Sequence, residues 1–119
     1  MLNVFSVFLG GGIGSVLRHL ITARIASHWG VMLVNICGAL VIGLAYEFFL
    51  SRSGWRPELK AFVITGLLGG FTTFSTYILD FNNLMASQKI WEAWGYLLGS
   101  LLVGFCFLAV GAKVGKFLW

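Results

Sequence analysis

Charge is what this sequence has least of. Only 10% of its 119 residues are charged, against roughly 25% in an average soluble domain. Four are acidic: Glu47, Glu58, Asp80 and Glu92. None lies between Met1 and Leu17, so the first apolar segment has no carboxylate to couple transport to protons. That argues against a small multidrug-resistance exporter, which needs one there. No Ser–His–Asp arrangement and no pair of buried carboxylates is apparent, so no enzyme class has a candidate site. The two cysteines, Cys37 and Cys106, lie in different apolar spans and form no CxxC pair; they read as reduced, buried residues. His19 and His28 are nine apart without neighbouring thiols or carboxylates, a spacing that gives no metal site. The single proline, Pro57, sits where a helix would begin.

Apolar residues are abundant. They make up 59% of the chain, and mean hydropathy is +0.93. The length fits one domain, residues 1–119. The net charge of +4 comes from basic residues scattered between apolar runs, which suits lipid headgroups better than nucleic acid. Four membrane spans are predicted, at about Leu2–Ile25, Val31–Leu50, Leu59–Met85 and Ile90–Val114, joined by short loops. The first lacks a basic leader and an A-x-A-like end, so it is expected to remain as a transmembrane helix. Glycines at four-residue spacing (Gly10/Gly14, Gly66/Gly70, Gly95/Gly99, Gly111/Gly115) let helix backbones approach closely.

The third span holds the anomaly. Nineteen uncharged residues separate Lys60 from Asp80, yet the centre reads G-G-F-T-T-F-S-T-Y, Gly69 to Tyr77. Lipid cannot satisfy such groups, so they must face protein or a watery path. A helix broken after Gly69 and Gly70 would free carbonyl oxygens, hard ligands for a cation such as sodium, and the following half-helix would present N–H groups that favour anions. The alternative is a passive kink. On a continuous helix Thr72, Ser75 and Thr76 share one face. Phe74 and Tyr77 form an adjacent stripe whose positive ring edges an anion can approach. Asn35 adds an amide in the second span, and Tyr96 and Ser100 share a face of the fourth. Arg18 is the only cation within a span. It either snorkels to the interface or lines a watery vestibule that attracts anions.

Four short helices alone can hardly enclose an aqueous path, so a homo-oligomer is expected, most simply a dimer, with the glycine faces as contacts. Counted by side, Arg52, Arg56, Lys60, Lys113 and Lys116 oppose Arg24 and Lys89, a bias that favours both termini inside.

The segments Gly10–Arg18 (G-G-G-I-G-S-V-L-R), Leu33–Gly38 (L-V-N-I-C-G) and, above all, Gly69–Tyr77 resemble the Fluc, or CrcB, family of fluoride channels. The resemblance spans the whole chain. It implies an all-α membrane fold in the bacterial inner membrane, with four helices per subunit, the third broken mid-membrane. It also implies an antiparallel, dual-topology dimer with two fluoride pores and one central sodium ion held by the carbonyls of Gly69 and Thr72. Phe74 and Tyr77 match the aromatic pair that faces fluoride. Ser75 and Thr76 match a hydroxyl track, Asn35 the second-helix amide, Tyr96 and Ser100 the fourth-helix polar groups, and Arg18 the first-helix arginine. Two positions depart from the family pattern: Val31 stands where threonine is frequent, and Tyr77 where phenylalanine is usual. The Tyr77 hydroxyl is expected to donate to passing fluoride. The near absence of charge bias that dual topology requires is also not met, which admits an inverted, non-identical partner subunit. A non-transporting assembly protein is the remaining rival, and it leaves the Gly69–Thr76 segment without a purpose.

Overall fold

The computed structural model describes all 119 residues, Met1–Trp119, and is entirely helical. Four segments are long and apolar enough to cross a membrane: Leu2–Arg24, His28–Ser51, Pro57–Ala86 and Ile90–Leu118. The first, second and fourth are the single helices α1, α2 and α6. The third is built from α3 (Pro57–Lys60), a stretch of wider i→i+5 turns (Ala61–Leu68), α4 (Gly69–Phe71) and α5 (Ser75–Ala86).

Local chemistry sets the ends. The Ser27 hydroxyl accepts the Trp29 amide at 3.4 Å and starts α2 three residues before the expected Val31. Pro57 opens α3, where its missing N–H costs nothing. Gly54, at φ +99°, makes the turn ahead of it. α6 runs past the expected Val114 to Leu118, because Lys113 and Lys116 suit a helix C-terminus. Lys116 lies 4.0 Å from Glu47 there, and Trp119 Nε1 donates to the Leu44 carbonyl at 3.2 Å, tying α6 to α2.

Packing follows the small residues. α1 lies against the first half of the third span, and α2 lies along α6. A Cβ at Gly14 would collide with the Leu67 carbonyl and come within 2.8 Å of the Phe71 amide. At Gly70 it would meet Gly11 backbone at 2.5–3.1 Å. Gly111 and Gly43 bring α6 equally close to α2. These glycines are filled within one subunit, which for them corrects the expectation that the glycine faces are intersubunit contacts. On α6, Gly95 and Gly99 share one side and have open space beside them, as Gly104 does on another. Buried residues are few. Val31, Tyr77, Leu84, Ala93 and Tyr96 form the core cluster, while Phe8 and Phe105 are 73% and 70% exposed. A surface this apolar is stable against lipid tails or another helix, not in water. The cysteines also lie outward, not buried as expected.

Candidate functional site: the interrupted third span

Helical hydrogen bonding stops after the Thr72 amide bonds to Leu68 at 3.1 Å, and it resumes when the Ile78 amide bonds to Phe74 at 3.0 Å. Between them Thr72 is extended, at φ −85° and ψ 160°. No backbone amide donates to the carbonyls of Gly69, Gly70 or Phe71. Helix geometry would have given Gly69 the Thr73 amide. That amide instead donates to Asn35 Oδ1 at 2.8 Å, while Asn35 Nδ2 donates to the Thr73 carbonyl at 3.0 Å. One amide side chain thus takes the place of two lost helical bonds.

Arg18 reaches the interruption: from a half-buried position its Nη1 donates to the Thr72 carbonyl at 2.8 Å. Thr72 leaves the expected hydroxyl face. Its Oγ1 bonds back to Leu68 at 3.0 Å, and the extended residue breaks the i, i+3 relation to Ser75 and Thr76. The residue that joins them is Thr73. Its hydroxyl lies 3.4 Å from that of Ser75 and 3.3 Å from that of Thr76, and it accepts the Thr76 amide at 3.3 Å. The sequence offered a weak signal for this, since a threonine three residues ahead of a helical amide is a capping position. The amides of Phe74, Ser75 and Tyr77 at the start of α5 donate to nothing within the chain.

The aromatic pair is adjacent, as expected. The Phe74 and Tyr77 rings are 6.2 Å apart and tilted by 58°. Phe74 is 73% exposed and Tyr77 buried. The Tyr77 hydroxyl donates to the Leu97 carbonyl of α6, so it is not free to donate to an ion, contrary to expectation. It fixes its ring instead. Tyr77→Phe keeps the ring and removes that tether. For the fluoride conduction that the resemblance implies, the expected result is a flux within about threefold of wild type and a stability loss of about 1 kcal/mol, read as efflux and as thermal unfolding in detergent. Complete loss of flux would show that the hydroxyl itself meets the ion.

Tyr96 and Ser100 share the inward face of α6. Tyr96 donates to Asp80 Oδ2 at 3.1 Å. Ser100 Oγ is buried without a partner. A groove of about 410 Å³ collects Asn35, Thr73, Phe74, Tyr77 and Ser100, with Gly69 and Thr72 at one side. Ser75, Thr76, Tyr96 and Arg18 stand outside its lining. The groove is apolar apart from these few donors, and no cluster of His, Cys, Asp or Glu able to hold a metal exists. A cation here could use only hydroxyl and carbonyl oxygen.

A CrcB-like protein (camphor resistance) family model matches residues 5–112. The chain belongs to the CrcB-like family. Among its relatives, the fluoride-specific ion channel FluC of Methylobacterium nodulans is 41% identical over 119 residues, covering 96% of this chain and 94% of its own. FluC of Agrobacterium fabrum is 38% identical, with 98% of each chain covered. FluC of Aquifex aeolicus is 36% identical, with 95% of this chain and 96% of its own covered. These CrcB-like relatives are ion channels and not enzymes, in keeping with the absence of a catalytic set.

Proposed function

We propose that this chain is the subunit of a fluoride-selective channel that lets the anion leave the cytoplasm down its electrochemical gradient, lowering its toxicity. The observation that carries the reading is the groove: a buried, unpartnered Ser100 hydroxyl lines the same space as Asn35, Thr73 and the Phe74 and Tyr77 rings. A buried polar atom without a partner costs about 1–3 kcal/mol, which an anion accepting that hydroxyl would recover. Fluoride is small and tightly hydrated, so its path must replace water with O–H, N–H and ring-edge donors. Ser75 and Thr76, and the unclaimed amides of Phe74, Ser75 and Tyr77, extend that supply beyond the groove. Arg18 attracts the anion while holding the Thr72 carbonyl, and Tyr96 contributes through its ring.

The working unit is an antiparallel, dual-topology dimer in the bacterial inner membrane, with two pores. The half-open groove and the exposed Phe74 support it, since a second copy would close the path. The open glycines of α6 are a suitable contact. Given the uneven Lys/Arg distribution, an inverted paralogous subunit could serve as the second copy.

A central sodium ion would be held by the carbonyls of Gly69 and Thr72 from both copies. The donor set fits a hard cation: both are backbone oxygens, and no amide donates to that of Gly69. The Thr72 carbonyl already accepts Arg18, but its two lone pairs allow a second partner. When bound, the ion would cross-link the two subunits.

Phe74→Ile tests the path. It retains bulk and removes the ring edge. Fluoride efflux from liposomes should fall at least about tenfold while the variant elutes as wild type does on size exclusion. Unaltered efflux would remove Phe74 from the path.

A further inference from the structure

The row of rings does not end at Tyr77. Tyr96 lies 5.3 Å beyond it, and His28 stands edge-on to Tyr96 at 4.9 Å and 83°. Phe74, Tyr77, Tyr96 and His28 therefore make one continuous stack from the interruption to the first residue of α2. At its far end His28 Nε2 is shielded from solvent and has no hydrogen bond. Its charged neighbour is Glu92 of α6, whose Oε1 is 3.3 Å away. The Trp29 ring closes another side at 4.5 Å.

We infer that His28 and Glu92 form a proton-binding site that raises fluoride conduction as pH falls. The inference rests on the channel reading above. The protonated ring is a cation 3.3 Å from the Glu92 carboxylate, and it places positive charge at the end of the aromatic row along which the anion is proposed to pass. Histidine is the side chain that changes charge between about pH 5 and 8. The other groups facing it do not substitute. From α6 come Glu92 and Tyr96. From α5 comes Asp80, reached through Tyr96, whose hydroxyl it accepts. Arg24, which closes α1, and Lys89, ahead of α6, form no ion pair with Glu92 or Asp80.

The test is fluoride efflux from liposomes at equal pH on both faces, stepped from 8 to 6, with leak from protein-free liposomes subtracted at each pH. Wild-type efflux should rise about threefold to tenfold across that range. His28→Gln should give a flat profile. Glu92→Gln, which keeps the histidine and removes its counter-charge, should shrink the rise. A flat or falling wild-type profile, or an unchanged rise in both variants, overturns the proton site and leaves the channel standing. Absence of wild-type efflux at every pH overturns the channel reading itself.

Discussion

Asn35→Leu should cost at least tenfold in fluoride flux and about 2–5 kcal/mol in stability. The side chain exchanges two hydrogen bonds with Thr73, at 2.8 and 3.0 Å. Leucine is of similar bulk and can fill the space, but it leaves an amide and a carbonyl unpaired in a buried part of the interruption. An ordinary hydrogen bond between membrane helices is worth only about 0.6 kcal/mol, because each partner finds a substitute. Here the substitutes are absent: the Thr73 amide can return to Gly69 only if the span rewinds into helix. Rewinding would undo the cap of α5, because the Thr76 amide would leave the Thr73 hydroxyl for the Thr72 carbonyl. Asn35→Asp separates the two roles of the amide. It keeps the acceptor for the Thr73 amide, loses the donor, and adds negative charge beside the groove. Flux should therefore fall further than in Asn35→Leu. Efflux rates and unfolding midpoints of the two variants measure this directly; equal flux in both would mean that the ion does not pass near residue 35.

Gly14→Ala should prevent assembly. A Cβ there strikes the Leu67 carbonyl, and backbone cannot step aside as a flexible side chain can. Overpacking in a close-packed interior costs about 1–3 kcal/mol, sometimes more. In this subunit it also pushes α1, and with it Arg18, away from the Thr72 carbonyl. Low yield and loss of a single size-exclusion peak are expected. Gly12→Ala is the internal control: it meets nothing within 4 Å and should behave as wild type. Similar behaviour of the two variants would contradict the packing described for α1.

The contrast between Gly12 and Gly14 shows what was legible in the sequence. Apolar length and sparse charge located all four spans, since a bilayer imposes both on any chain that crosses it. The small-residue spacing announced close approach, but not between which helices. Gly10 and Gly66 face each other inside the subunit, Gly14 meets Leu67 and Phe71, and Gly70 meets Gly11, whereas Gly95 and Gly99, with the same spacing, face open space. The wide turns of Ala61–Leu68 have no marker in those residues. The Phe74 and Tyr77 rings lie side by side, as their three-residue spacing suggested. The hydroxyl face differs, because helical spacing does not continue through the interruption. Thr72 belongs to the extended side of the interruption and Thr73 to the cap of α5. Partner choice was also invisible: Tyr77 and Tyr96 spend their hydroxyls on Leu97 and Asp80, long-range bonds that only the packing of α5 on α6 creates.

The central claim is selective fluoride conduction, and liposomes test it most directly. Purified protein would be reconstituted into vesicles loaded with fluoride or with chloride, and efflux followed with the matching ion electrode after an ionophore releases the counter-charge. The account predicts rapid loss of fluoride and retention of chloride. Fluoride efflux no faster than from protein-free vesicles, or equal efflux of both anions, would contradict it.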